Sequence, residues 1–113
     1  MKDIDILLAR SEQACQTLKL ISNPNRMRIL CGLSMQEMAV GDMEDMLQIR
    51  QPTLSRELGH LREAGVVTTR KQSRVVFYQL SDARIARLLD VLCDHFDNET
   101  ILENQNRELE HAE

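Results

Sequence analysis

The chain has 113 residues, which fits one domain and leaves little room for a second hydrophobic core. It carries 14 Lys and Arg against 18 Asp and Glu and has only three aromatic residues, so its core must be built mainly from Leu, Ile, Val and Met. Three widely spaced cysteines argue against a secreted disulfide framework, and the lack of a long apolar run leads us to expect a cytoplasmic protein that does not enter a membrane.

The first part of the chain has the period of amphipathic helices. Residues 4–21 carry apolar side chains at helical spacing and predict a first helix. A second helix is expected over 24–33, because Asn23 suits the N-cap and Pro24 suits the first helical position. Gly32 is expected to weaken the end of this second helix.

Two further helices are predicted next, separated by a brief turn. Residues 41–48 form the first of them, with Met46 among the side chains that face the core. The second spans about 51–64 and ends before Gly65, a residue typical of helix stops. Its apolar row consists of Leu54, Leu58 and Leu61.

The period then changes to that of a β-hairpin. Residues 66–70 and 75–80 are rich in β-branched and aromatic side chains, and a polar tip at 71–74 joins them. A fifth amphipathic helix is predicted from 82 to about 96. The acidic tail after it either continues as a sixth helix or frays.

Positive charge is concentrated in one segment of this acidic chain. Residues 50–74 hold six Lys and Arg against two acids, a balance of +4, whereas the other 88 residues hold eight Lys and Arg against sixteen acids, a balance of −8. Basic side chains gathered on one helix and the hairpin after it indicate an anionic partner of defined shape. Duplex DNA is the commonest such partner.

The order helix, short turn, helix, hairpin is that of a winged helix-turn-helix, a mainly α (α+β) fold. We expect a single domain over 1–113 with five to six helices, a helix-turn-helix at 40–64 and a two-stranded β-hairpin wing at 66–80. The amphipathic segments 1–22 and 82–113 are expected to be dimerisation helices that complete the core of a homodimer.

The fourth helix would enter the major groove by its N-terminal half and present its polar face to the bases. Gln suits adenine, Arg suits guanine, and Ser and Thr suit bases or phosphates. The predicted contacts on this helix are Gln51, Thr53, Ser55, Arg56 and His60. The predicted contacts of the wing with the flanking minor groove or backbone are Arg70, Lys71 and Arg74. The competing interpretation of each residue is an ordinary solvated surface.

Two stretches, NPNRMRILCGL and MAVGDMEDMLQIRQPTLSRELGHLREAGVVTTRKQSRVVFYQLSD, resemble the ArsR/SmtB family of bacterial winged-helix repressors. The resemblance covers about residues 14–97. It implies a homodimer that represses an operon by binding double-stranded DNA at an imperfect palindrome, and an inducer that releases the DNA. It also implies that the first and last helices form the dimer interface.

The metal sites that this resemblance implies are not matched, so we expect no bound metal and no cofactor. The arsenic-type Cys-x-Cys falls on Ala39 and Gly41. The zinc-type site needs one Asp and three His: Asp82 and His95 match, but Arg84 and Asn98 do not.

Within the family, the chain resembles the thiol-sensing BigR/HlyU/SqrR branch, which pairs a cysteine in the second helix with one in the last helix. Cys31 falls on the first position, whereas the second falls on Asp97, one turn after Cys93. One turn is about 5.4 Å, as large as the Cα separation that a disulfide allows, so the shift is enough to forbid a direct Cys31–Cys93 bond or to require a bridging polysulfide. Packing is the competing interpretation for each cysteine, including Cys15.

The preferred interpretation is a sequence-specific transcriptional repressor that thiol chemistry at Cys31 and Cys93 releases from its operator. The alternatives are a repressor that responds to a metal ion or an organic ligand, and a winged-helix adaptor that binds protein. An enzyme is not expected, because the sequence holds no Ser/His/Asp set, no Gly-rich phosphate loop and no paired carboxylates in a pocket-like pattern.

Overall fold

Six helices and three strands make up the described part of the chain in the computed structural model. The helices are α1 (Asp3–Ile21), α2 (Pro24–Met35), α3 (Val40–Leu47), α4 (Thr53–Glu63), α5 (Ala83–His95) and α6 (Asn98–His111), and the strands are β1 (Met38–Ala39), β2 (Val67–Gln72) and β3 (Val75–Leu80). The structure describes residues 2–96 and 98–111, without the side chains of 94, 95, 98–100 and 111. The predicted mainly α winged helix is confirmed.

The elements group into two units, Met1–Asp82 and Ala83–Glu113. The first unit contains α1 to α4 and all three strands, and the second contains α5 and α6. The single domain over 1–113 therefore stays a prediction. No helix within the described residues is both long enough and apolar enough to cross a membrane.

The start of α2 follows the sequence signals. The Asn23 side-chain oxygen accepts hydrogen bonds from the backbone N–H groups of Asn25 at 3.0 Å and Arg26 at 3.1 Å. Pro24 occupies the first turn, where its missing N–H costs nothing. The predicted cap is confirmed, and it fixes the position on α2 from which the Arg26 side chain extends.

Gly32 does not end α2, which continues to Met35. A Cβ atom at Gly32 would lie 2.6 Å from Cδ2 of Leu47 and 3.0 Å from Cε of Met38. The glycine is therefore a point of close approach between α2, the end of α3 and β1. The predicted end of α2 at residue 33 is therefore two residues short, and the close approach at Gly32 had no signal in the sequence.

Gly32→Ala is expected to lower the free energy of unfolding by about 1 kcal/mol, because overpacking outweighs the gain in helix propensity. Gly59→Ala is the matched control, since Gly59 lies in α4 and a Cβ atom there would meet nothing within 4 Å. That variant is expected to gain about 0.5–1 kcal/mol. Urea denaturation followed by circular dichroism measures both, and a stabilised Gly32→Ala protein would contradict the packing argument.

The hairpin is part of a three-stranded antiparallel sheet with the order β1-β3-β2. The predicted two strands pair from Val67 with Leu80 to Gln72 with Val75. The third strand, β1, was not predicted, and it aligns Ala39 with Phe77 on the other edge of β3. The sheet ties the wing to the segment that leads into α3, so the wing is anchored on both sides of its central strand.

Helix α4 ends as predicted at a glycine in the left-handed region, since Gly65 has φ +77°. The N–H of Gly65 donates to the carbonyl of Arg62, and the N–H of Val66 donates to the carbonyl of Leu61, both at 3.0 Å. These two bonds form a Schellman motif. The Ser81 N–H donates to the Val66 carbonyl at 2.9 Å, which joins the end of β3 to the same corner.

Helices α1 and α5 carry apolar surface. Ile4, Leu7, Leu8 and Leu18 on α1 are each more than half exposed. On α5, Ile85 and Leu89 are buried, whereas Val91 and Leu92 are exposed, as is Phe96 directly after the helix. Large exposed apolar side chains at helical spacing are typical of a surface that another chain covers.

Candidate nucleic-acid interface

Helix α4 has one buried and one exposed face. Leu54, Leu58 and Leu61 are buried, as predicted, and they hold the helix against the rest of the first unit. Ser55, Arg56, Gly59 and His60 are exposed. We call this exposed side of α4, together with Thr53 at its start and Gln51 just before it, the reading face. Thr53 is half-buried at the first helical position.

The turn that precedes α4 is held by α2 and by its own buried residue. Gln48 ends α3 in the left-handed region with φ 57°, and its carbonyl accepts a hydrogen bond from Nη1 of Arg28 at 3.0 Å. Ile49 is buried directly after it. The angle between α3 and α4 is thus fixed by local backbone geometry together with one arginine from α2.

Gln51 acts as the side-chain cap of α4. Its Oε1 accepts hydrogen bonds from the Ser55 N–H at 3.0 Å and from the Ser55 hydroxyl at 2.8 Å. Bidentate recognition of adenine needs both the acceptor and the donor of a Gln amide. Gln51 would therefore have to give up its hydrogen bonds to Ser55 to read adenine in that way. Its Nε2 donor takes no part in those two bonds.

Arg56 extends from the centre of the reading face. Its side chain is 60% exposed, and its Nε lies 3.6 Å from Oε1 of Glu57. That separation is longer than a hydrogen bond and leaves the guanidinium available to another acceptor. Arg56 and His60 are four residues apart, so they are neighbours on one face of the helix.

A buried carboxylate lies directly behind this face. Glu57 is the only charged residue that is buried in the described part of the chain. Its Oε2 accepts a hydrogen bond from Nε of Arg26 at 2.5 Å. The same guanidinium donates from Nη1 to the Leu20 carbonyl at 3.2 Å, and its Nη2 lies 2.9 Å from Nδ1 of His60. We call Arg26, Glu57 and His60 the Arg26 cluster.

The cluster keeps Glu57 ionised. The hydrogen bond from Arg26 lowers the pKa of Glu57 below its ordinary value of 4.5, against the opposing effect of burial, and the charge of Arg26 lowers it further. A buried carboxylate with this partner is satisfied, so it can stand on the apolar row of α4 without an orphaned charge.

The wing does not bring its three predicted contacts to one place. Side chains alternate between the two sides of a strand, so Arg70 and Lys71 point to opposite faces of β2. Lys71 lies within β2 rather than in the tip, which is reduced to Ser73 and Arg74. Lys71 and Arg74 are both exposed.

Arg70 is engaged by neighbouring side chains. Its Nε donates to both carboxylate oxygens of Glu37, at 2.9 Å and 2.8 Å, and its Nη2 also donates to that carboxylate. Its guanidinium carbon lies 4.5 Å from the ring centroid of Phe77, in cation–π range. We call Arg70, Glu37 and Phe77 the wing clamp. The hydrogen bond from Arg70 lowers the pKa of Glu37 below its ordinary value.

Comparison with known proteins places this geometry in a family. The model of the bacterial regulatory protein arsR family matches residues 23–69, which span α2 to the first part of the wing. The biofilm growth-associated repressor of Agrobacterium fabrum is 43% identical over 83 residues, covering 74% of this chain and 71% of that protein. The chain belongs to the ArsR family.

Two further relatives of this ArsR-family protein agree in sequence and in structure. The transcriptional activator HlyU of Vibrio cholerae is 38% identical over 82 residues, covering 73% of this chain and 76% of that protein. The crystal structure of the transcriptional repressor BigR from Xylella fastidiosa superposes with a TM-score of 0.75 at 38% identity, over 86% of this chain and 98% of that one. These relatives are transcriptional regulators, which confirms the expectation that the chain is not an enzyme.

The sequence reasoning missed the residues that position the reading face and the wing. They are Arg26, Arg28, Glu37 and Glu57. A signal existed for Glu57, because position 57 shares the helix face of Leu54, Leu58 and Leu61 and a carboxylate there requires a cationic partner. No local signal identified Arg26 as that partner, since 31 residues separate the two.

The cysteines of the ArsR-family chain occupy different surroundings. Cys31 is half-buried on α2, while Cys15 on α1 and Cys93 on α5 are exposed. Cys31 and Cys93 belong to different units of the structure. The predicted thiol pair therefore stays a prediction. Packing does not account for Cys15 and Cys93 within a single chain.

No group of three or more His, Cys, Asp or Glu able to hold a metal ion occurs among the described residues. The structure does not describe the side chain of His95, which matches the zinc-type site. It also does not describe Asp97, on which the second cysteine position of the thiol-sensing branch falls. Met46 is exposed rather than facing the core, because α3 turns only Met43 and Leu47 inward.

Proposed function

We propose that this ArsR-family protein is a homodimeric, sequence-specific DNA-binding transcriptional repressor. The observation that carries the proposal is the reading face, where Ser55, Arg56 and His60 are exposed above a fully buried leucine row. An exposed guanidinium at the centre of this face suits guanine or phosphate, and the N-terminal half of such a helix is the part that enters the major groove. The basic wing follows in sequence and supplies Lys71 and Arg74 for the flanking backbone.

A second copy of the chain is the proposed cover for the exposed apolar side chains of α1. Leu7 and Leu8 lie on that surface, and water contact at such residues is unfavourable by roughly 25 cal/mol per Å² of apolar area. A two-fold dimer would place two reading faces about one DNA turn apart, which requires a palindromic operator.

Repression, rather than activation, is the proposed direction of control. The Agrobacterium fabrum relative is named a repressor, whereas HlyU of Vibrio cholerae is named an activator. A winged helix needs no additional surface to block a promoter, whereas activation by contact would require a site for polymerase. A reporter gene placed behind the promoter of this protein's own gene distinguishes the two. Deletion of the gene raises reporter expression only if the protein is a repressor.

Operator binding tests the whole proposal. Fluorescence anisotropy with duplexes from the chain's own upstream region is expected to give saturable binding of one dimer to a palindrome. The logarithm of the binding constant should fall linearly with the logarithm of salt concentration, by about 0.9 for each phosphate neutralised. Absent DNA binding, or binding that does not respond to salt, would favour the adaptor that binds protein.

The wing clamp gives Arg70 a different role from Lys71 and Arg74. An arginine that already bonds both oxygens of Glu37 and lies over Phe77 would lose those interactions on moving to a phosphate. We therefore propose that Arg70 fixes the angle of the wing, and that Lys71 and Arg74 contact the DNA.

Glu37→Gln separates these two roles of Arg70 by the sign of its effect. If Arg70 orients the wing, the neutral amide weakens the clamp and operator affinity falls by about two- to fivefold. If Arg70 contacts the phosphate backbone directly, loss of its carboxylate partner frees the guanidinium and affinity rises. Glu44→Gln, which removes an exposed carboxylate from α3, controls for the change in net charge.

Thiol chemistry is the proposed input signal. With peroxide as oxidant, the Cys31 thiolate takes one oxygen to become a sulfenic acid and water leaves; the Cys93 thiolate then attacks that sulfur, and a second water leaves as the disulfide forms. With a persulfide donor, transfer of its outer sulfur instead converts each cysteine to a persulfide and releases the donor as a thiol; attack of one persulfide on the inner sulfur of the other then forms a trisulfide and releases hydrogen sulfide. Either bond would join α2 to α5 and shift the spacing of the reading faces.

Cys31→Ser is expected to bind the operator normally and to ignore oxidants and persulfide donors. Mass spectrometry of the wild type should then show a loss of two hydrogens, or a gain of sulfur, in peptides joining Cys31 and Cys93. Cys15→Ser is the matched control and should respond like the wild type. A Cys31→Ser protein that is still released by the same reagents would rule out this input.

The rival input is a metal ion or an organic ligand. Release of DNA by such a ligand in a protein that lacks both Cys31 and Cys93 would select it. The two inputs are therefore distinguished by the same binding assay, run on the wild type and on the double serine variant.

A further inference from the structure

One guanidinium joins three parts of the first unit behind the reading face. Arg26 donates to the Leu20 carbonyl near the end of α1, to the Glu57 carboxylate on the buried side of α4, and toward His60 on its exposed side. Each of the three nitrogens of Arg26 has its own partner. The position of the guanidinium is therefore fixed from three directions, and His60 is the partner nearest to solvent.

The contact with His60 specifies which of its nitrogens carries the proton. An arginine side chain has only donors, so the ring nitrogen 2.9 Å from Nη2 of Arg26 must accept. That nitrogen is Nδ1, and a neutral imidazole that accepts at Nδ1 carries its proton at Nε2. A proton on Nδ1 would instead point at the N–H groups of the cation.

We propose that Arg26 is a positioning residue that holds His60 in the Nε2–H tautomer, so that His60 presents a hydrogen-bond donor to an acceptor on DNA. This deepens the proposed function and rests on α4 being the helix that reads DNA. His60 is exposed and lies one turn after Arg56 on the same face, so the two side chains offer adjacent donors. Phosphate oxygens and the guanine O6 and N7 atoms are acceptors of this kind.

Glu57 makes the arrangement specific to arginine. Its carboxylate takes Nε of Arg26, which leaves Nη2 directed at His60. A lysine at this position would keep a positive charge beside Glu57, but a single ammonium cannot reproduce the forked geometry that serves both partners. Arg26→Lys is thus a conservative change that preserves the ion pair and removes control of the imidazole.

Nitrogen NMR of the ring tests the inference without DNA. In wild-type protein at neutral pH, Nδ1 of His60 is expected to have the chemical shift of an unprotonated nitrogen and Nε2 that of a protonated one. In Arg26→Lys the two shifts should move toward the average of both tautomers. A wild-type His60 protonated at Nδ1, or one whose shifts do not respond to Arg26→Lys, would overturn the proposal.

A double-mutant cycle tests the consequence for binding. His60→Ala is expected to weaken operator binding about tenfold, and Arg26→Lys to weaken it several-fold in the wild type but less than about twofold in the His60→Ala background. Equal effects of Arg26→Lys in both backgrounds, or full affinity in His60→Ala, would overturn the inference while leaving the proposed function intact. Failure of the wild type to bind any DNA would overturn the proposed function, and the NMR result would still decide the tautomer.

Discussion

Arg56→Ala is expected to weaken operator binding by about 1–3 kcal/mol, which corresponds to roughly five- to 150-fold in the dissociation constant. The reason is that Arg56 is 60% exposed at the centre of the reading face and that its closest carboxylate oxygen lies beyond hydrogen-bond distance. A guanidinium whose ion pair with Glu57 is this long can form two parallel hydrogen bonds with guanine, and alanine can form none.

Arg62→Ala is the matched control for that variant. Arg62 is also exposed on α4, but it follows Arg56 by six residues, or about 1.7 turns, so it points to a different side of the helix from Arg56 and His60. Both substitutions remove one positive charge, so a purely long-range electrostatic contribution would weaken binding equally in both proteins. Anisotropy titrations with the operator and with a scrambled duplex distinguish the outcomes. A loss confined to the operator supports base reading by Arg56, and equal losses contradict it.

The parts of this fold that could be predicted are those encoded by neighbouring residues. The cap at Asn23, the leucine row of α4 and the stop at Gly65 each depend on residues within one or two helical turns, and all three are confirmed. The change from helical to alternating period marked the hairpin for the same reason. Strand β1, with two residues, is too short to show any period.

The interactions that set the interface could not be predicted, because their partners are distant along the chain. Arg26 and Glu57 are 31 residues apart, and Arg70 and Glu37 are 33 apart. The prediction that Arg70 contacts DNA depended on residue type and position alone. The sequence does not distinguish an arginine whose charge is free from one that is paired with a distant carboxylate. Gln51 shows a related ambiguity, because the amide oxygen that suits adenine also suits the cap of a helix.

Arg26→Met is expected to lower the free energy of unfolding by about 3–5 kcal/mol, the largest effect among these variants. The substitution leaves the buried Glu57 carboxylate, whose side chain is only 8% exposed, without its hydrogen-bonded cation and with only the more distant guanidinium of Arg56 at 3.6 Å. Arg28→Met, two residues later on α2, is the matched control. It loses one hydrogen bond from an exposed side chain to the Gln48 carbonyl, so a loss of about 1 kcal/mol is expected.

The pH dependence of stability identifies Glu57 as the source of that effect. Because the pKa of Glu57 is lowered in the folded protein, ionised Glu57 stabilises the fold at pH values above its ordinary value of 4.5, and that contribution is lost as the pH falls through the folded pKa. The wild type should therefore lose stability from about pH 5 downward. Arg26→Met reverses the sign of this pH dependence. A buried carboxylate that keeps only the more distant Arg56 favours its protonated form, so the variant gains stability on acidification.

The double variant Arg26→Met, Glu57→Leu removes both charges together and places leucine on the row of Leu54, Leu58 and Leu61. It is expected to recover most of the stability at neutral pH and to lack the dependence on Glu57 ionisation, because an apolar pair can replace a buried ion pair without loss. Urea titrations at pH 7 and pH 4, at one fixed protomer concentration, measure all four proteins, since dimerisation would otherwise shift the midpoints. An Arg26→Met protein no less stable than Arg28→Met would show that the buried pair does not hold the reading helix in place.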